Sequence, residues 1–175
     1  TNMGSLIIKN IIRFLVVFLL QAFVLAGFTI NYPILDNTNV IIYPIIILLL
    51  PLRTPNALIL LFGFTLGILL DVFYNSPGVH ASATVLIAFL RPYVLSLVEP
   101  RGGYSVEASP TMREYGSTWF IMYSSILMLV HLFFLFSVQA FTFVFIVEIL
   151  LKTFLSFVVS MVFILIYMYL FNPKE

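Results

Sequence analysis

The residues that could do chemistry in this chain stand inside or at the edges of long apolar runs. Asp71 closes one run, His80 opens the next, and Arg91 lies within that second run. Glu148 and Lys152 stand four apart in the last run, in the order that favours an intrahelical ion pair. Asp71 and His80 are separated by Asn75-Ser76-Pro77-Gly78, a turn short enough for them to meet across it. Arg91 is about three helical turns deeper than His80, so a direct bridge to Asp71 is not expected. A basic group at a helix centre costs about 2.5–3.5 kcal/mol on insertion scales. Arg91 therefore either snorkels to the inner leaflet or is buried in the bundle, paired with an acid or with the carbonyls freed near Pro92. Asp71 reads either as an interfacial residue closing a helix end or as a polar group inside a bundle.

No cysteine is present, and His80 and His131 are the only histidines, on different runs. Thiol chemistry and disulfides are excluded, and a metal site is not expected. No Walker A loop, H-E-x-x-H or G-x-S-x-G occurs. No nucleophile–base pair is evident, so the expectation is a protein that is not an enzyme and has no cofactor.

The elements that must position these residues are membrane helices. The 175 residues are 62% hydrophobic and 9% charged, with mean hydropathy +1.16, more apolar surface than so small a soluble domain can hide. Runs such as Ile45-Ile46-Ile47-Leu48-Leu49-Leu50 do not alternate as a transmembrane barrel requires. The formal charge of +1, with no dense basic cluster, gives no sign of a nucleic-acid partner. The expected class is an all-α polytopic membrane protein with six transmembrane helices in one domain, residues 1–175. The spans are read at about 6–30, 35–52, 56–74, 79–98, 117–137 and 148–171. The second is short and flanked by Pro44 and Pro51, so it either crosses or is re-entrant. The first turns of the last run are expected at the outer interface.

Charge sets the orientation. With six spans and a cytoplasmic N-terminus, Lys9, Arg13, Arg53, Arg101, Arg113 and Lys174 all fall inside, and the loops at 31–39, 75–78 and 138–141 carry no Lys or Arg. Both termini and the polar loop 99–116 are then cytoplasmic. Ser76 reads as an N-cap with Pro77 at the first helical position. Thr111 and Glu114 have capping-box spacing ahead of the fifth span. The loop 99–116 carries no apolar face of its own and is expected to be mobile or to meet cytoplasmic partners.

Gly63, Gly67 and Asp71 are spaced i, i+4, i+8 and share one helix face. The two glycines leave bare patches where another helix, from this chain or a partner, can approach closely.

The ordered set Pro51-Leu52-Arg53-Thr54-Pro55, Gly63-x-x-x-Gly67, Asp71, Gly78-x-His80 and Ala88-x-x-Arg91-Pro92 resembles the MreD family of bacterial rod-shape-determining membrane proteins. Ser109-Pro110-Thr111 and Tyr115-Gly116-x-x-Trp119 resemble its Bacteroidetes-type members. The resemblance implies a non-enzymatic component of the cell-elongation machinery in the bacterial cytoplasmic (inner) membrane, bound to MreC. Through MreC it would join MreB, RodA and a class B penicillin-binding protein in lateral-wall peptidoglycan synthesis. It also implies a fold similar to the substrate-binding subunits of energy-coupling-factor transporters. It implies no catalytic residues and no cofactor. That fold analogy supports an alternative, a transporter-like subunit holding a small molecule between its helices near Asp71, His80, Glu148 and Lys152.

Overall fold

The structure is a computed structural model that describes residues 3–25, 29–32, 35–105, 108–142 and 144–171. Helix α1 (Met3–Leu19) widens into a π-helical stretch, Leu20–Val24. A hairpin follows, β1 (Thr29–Tyr32) antiparallel to β2 (Leu35–Asn39), over the end of the expected first span at 6–30, the expected polar loop at 31–39 and the start of the expected second span at 35–52. One helical turn, α2 (Ile45–Leu48), precedes the long helices α3 (Asn56–Tyr74) and α4 (Val79–Leu97). A second single turn, α5 (Met112–Tyr115), leads into α6 (Ser117–Ala140) and α7 (Ile146–Phe171).

Helices α3, α4, α6 and α7 are each long and apolar enough to cross a membrane, and α1 with its π-helical continuation holds a shorter apolar helix, Ile11–Phe23. The protein is a multi-pass α-helical membrane protein. Large apolar side chains such as Leu61, Phe64, Ile68 and Val72 of α3 are exposed on its outer surface. That arrangement suits lipid, which solvates Leu and Phe as well as a protein core does.

The expected second span is not a helix. Pro44 and Pro51 each lack the N–H that a continuous helix uses, and only Ile45–Leu48 completes a turn. Residues 40–50 are nevertheless buried throughout. They run antiparallel to α1 through the middle of the bundle. Val40 and Ile42 meet Gln21, and Leu49 meets Arg13 about two turns earlier in α1. The segment starts level with Tyr74, near the end of α3, and ends level with Arg91, deep in α4. The chain thus returns from one end of the bundle to the other as an irregular segment, helical only at Ile45–Leu48 and wrapped in helices. Non-helical backbone at membrane depth is tolerated only where protein surrounds it.

Two other local expectations are corrected. Thr111 accepts the N–H of Glu114, but it caps the separate turn α5. Gly116, at φ +86°, breaks the chain before α6. The loop after α4 is also anchored in part. Leu52 N–H donates to Ala108 C=O, Ser109 and Thr111 are buried, and Tyr104, Tyr115 and Trp119 form an aromatic cluster. Burial pushes the Tyr104 phenol up to about 12, which keeps its proton in place to donate to Leu95 C=O at 2.8 Å. Lys174, read from the sequence as cytoplasmic, lies outside the described residues.

Candidate functional site

The polar groups of the interior converge on the buried pass and on the α3–α4 turn. At the turn, the Asp71 carboxylate accepts four hydrogen bonds. Oδ1 takes the His80 N–H at 2.8 Å and the Ser76 hydroxyl at 3.1 Å. Oδ2 takes the N–H groups of Gly78 at 3.0 Å and Ala81 at 3.1 Å. The first N–H groups of a helix lack intrahelical partners and carry partial positive charge, so a carboxylate there serves both needs. Ser76 is therefore not the N-cap. The helix starts after Gly78, at φ +81°, and its cap comes from the preceding helix.

Below Asp71 on the same face, Gly67 and Gly63 let α4 close on α3. A Cβ on Gly67 would lie 2.3 Å from Ala81 Cα and 2.4 Å from Thr84 Oγ1. A Cβ on Gly63 would lie 3.1 Å from both Ala88 Cβ and Thr84 O. Thr84 Oγ1 also donates to the Gly63 carbonyl at 2.7 Å. The glycine face is thus filled from within the chain by α4.

The pass, helical only at Ile45–Leu48, leaves backbone groups at both its ends that no helix ladder satisfies, and side chains from four helices serve them. Gln21 of the π-helical stretch donates to Val40 C=O at 3.0 Å and accepts from Ile42 N–H at 2.8 Å. Ser160 of α7 accepts from Ile41 N–H at 2.9 Å. Tyr123 of α6 donates to Leu48 C=O at 3.0 Å, and Arg13 of α1 to Leu49 C=O at 3.3 Å. Arg91 of α4 donates to Leu50 C=O and, through Nε, to Tyr123 Oη at 3.1 Å. Arg91 is 1% exposed and meets no carboxylate among the described residues. Of its alternatives, the freed carbonyl is the one realised, on the buried pass rather than beside Pro92.

At the centre, Tyr43 of the pass joins the two histidines. Its hydroxyl lies 2.8 Å from His80 Nδ1 and 2.7 Å from His131 Nε2. A phenol has one proton, so one imidazole accepts it and the other donates its own N–H to the phenolic oxygen. The second nitrogen of His131 faces the Ala83 backbone, short of a full hydrogen bond. Placing a proton on that nitrogen makes His131 Nε2 the acceptor and His80 Nδ1 the donor. The Tyr74 ring covers His80, with centroids 4.8 Å apart. The arrangement can fix ring orientations and tie α4, α6 and the pass together. Among the described residues no three His, Cys, Asp or Glu side chains are grouped to hold a metal.

Of the remaining residues singled out from sequence, Arg53 is exposed between Pro51 and Pro55 at the opposite end of the bundle from Asp71. Glu148 and Lys152 form a 3.0 Å ion pair near the start of α7, away from the central network. Sequence reasoning missed Gln21, Tyr43, Tyr123 and Ser160. Gln21 is the one polar residue between Arg13 and Thr29, which was a usable signal. The hydroxyl groups gained meaning only once the pass was seen to lack a helix.

Comparison of the chain with protein-family models, curated proteins and solved structures returns no match.

Proposed function

We propose that this protein is a non-enzymatic scaffold of the bacterial cell-elongation complex, of the MreD type, sited in the cytoplasmic membrane with both termini in the cytoplasm. On this reading it spans the membrane six times, five times as helix and once as the buried pass. It binds the bitopic protein MreC and so supports lateral-wall peptidoglycan synthesis alongside MreB, RodA and a class B penicillin-binding protein. The reading rests on the motif resemblance, and one observation gives it weight. Gly63, Gly67, Asp71, His80 and Arg91 all point inward, onto α4, the α3–α4 turn and the buried pass. Residues used in this way hold a shape, and a shape held from within suits a protein whose outer faces receive partner helices.

Coexpression with MreC from the same organism tests it. The two chains should copurify in mild detergent, and depletion of this chain should turn rods into spheres. Absence of both effects sinks the reading. The alternative, a transporter-like subunit binding a small molecule, draws on His80 Nε2 and Ser156 Oγ, buried polar atoms without a hydrogen-bond partner. It predicts a small molecule retained through purification and lost on Ser156→Leu.

A further inference from the structure

The ion pair at the start of α7 borders a cleft that the scaffold reading does not use. The cleft has a volume of about 430 Å³ and is lined by Phe136, Gln139 and Ala140 of α6 and by Phe145, Glu148, Ile149 and Lys152 at the start of α7. Its walls are apolar, and its polar groups are one carboxylate, one ammonium and one carboxamide.

Depth identifies what such a cleft would meet. Helix α7 has 26 residues, about 39 Å at 1.5 Å per residue, against a hydrocarbon core of about 30 Å. Its first turns therefore stand at the headgroup level when the rest is centred. Lys152 lies one turn deeper than Glu148, and its ammonium reaches back to the carboxylate at 3.0 Å, the direction in which a lysine snorkels toward the surface. The Glu148 side chain is 52% exposed and that of Lys152 is 24% exposed, so both keep open coordination toward the cleft.

We propose that this cleft binds the headgroup of a zwitterionic phospholipid bearing a primary ammonium, phosphatidylethanolamine. The carboxylate of Glu148 accepts from the lipid ammonium. Lys152 and the Gln139 amide donate to the lipid phosphate, and an acyl chain follows the apolar wall of Phe136 and Ile149. The charges on the protein are adjacent and opposite, as they are on the lipid. An anionic headgroup would satisfy Lys152 but oppose Glu148, and a choline headgroup has no N–H for the carboxylate. This inference is independent of the partner reading above.

Native mass spectrometry of the full chain, delipidated and titrated with phosphatidylethanolamine, phosphatidylcholine or phosphatidylglycerol of matched acyl chains, tests it. One phosphatidylethanolamine should bind at least about fivefold tighter than either other lipid. Glu148→Gln should remove that preference, because only the carboxylate distinguishes the ammonium, and Gln139→Leu should weaken all three lipids alike, with the lipid-free unfolding temperature of each variant near the parent's. Gln139→Leu leaves both charges in place, so it remains informative where Glu148→Gln fails to fold. Equal binding of the three lipids, a preference that survives Glu148→Gln, or undiminished lipid binding by Gln139→Leu overturns the proposal. So does occupation of the cleft by a copurifying protein that the lipid cannot displace.

Discussion

Oδ1 of Asp71, three residues from the end of α3, accepts the backbone N–H of His80 at the first turn of α4 from 2.8 Å away. One side chain thereby closes one helix and opens the next. Replacing it with Ala leaves the N–H groups of Gly78, His80 and Ala81 without their acceptor. The orphans at buried His80 and Ala81 cost about 1–3 kcal/mol each, and the exposed Gly78 less. Asp71→Ala should unfold well below the parent in a detergent thermal melt, with Asp71→Asn in between because it keeps one acceptor oxygen. Equal midpoints for all three would refute the capping role.

Gly67 and Gly63 differ in how tightly α4 approaches. At Gly67 the nearest obstacle to a Cβ is Ala81 backbone at 2.3 Å, which cannot swing aside. At Gly63 the contacts are 3.1 Å and a small shift relieves them. Gly67→Ala should cost about 1–3 kcal/mol and Gly63→Ala clearly less, read as loss of folded fraction in SDS titration. The reverse order would mean that α3 and α4 pack otherwise.

Tyr43→Phe removes the hydroxyl shared by His80 and His131 and strands two imidazole nitrogens. The expected loss is about 1–3 kcal/mol. Because the groups act together, Tyr43→Phe and His131→Leu should not add. A coupling of roughly 0.5–3 kcal/mol in the double-mutant cycle is expected, and strict additivity would show the bridge to be energetically silent.

Arg91 serves a carbonyl and a phenol rather than a carboxylate. Arg91→Lys keeps the charge but cannot reach Leu50 C=O and Tyr123 Oη from a fixed fork. The lysine variant should be nearly as unstable as Arg91→Met, each losing on the order of 1.5–3 kcal/mol per charged hydrogen bond broken. A lysine variant that melts with the parent would show that charge alone suffices.

Orientation is open to a direct test because the chain has no cysteine. An impermeant maleimide applied to intact cells should label Ser76→Cys and spare Ser5→Cys. Labelling of Ser5→Cys from outside would reverse the proposed topology.

The long helices were readable because their apolar runs are unbroken: α3 and α4 begin and end within a residue of the expected limits. The inward use of Gly63, Gly67 and Asp71 was foreshadowed by their shared face, since Asp71 on it favours protein over lipid, although the sequence also left a partner helix open. The buried pass was not readable as such. Its composition is that of a membrane helix, and only Pro44 and Pro51 hinted that its ladder would fail. The hydrogen bonds that replace the ladder come from Gln21, Arg91, Tyr123 and Ser160, far away along the chain. No local pattern can announce them.

The buried pass also has a consequence for how the protein is made. When residues 40–50 leave the ribosome, only Arg13 and Gln21 of their eventual partners have been synthesised. Arg91, Tyr123 and Ser160 follow, the last of them in the final helix. Until then the segment can be neither a finished helix nor a satisfied strand. It must wait in the translocon, in water, or in some provisional helix. Maturation is therefore tied to completion of the C-terminus, and a chain truncated before Ser160 should be cleared as unassembled however well its earlier helices insert.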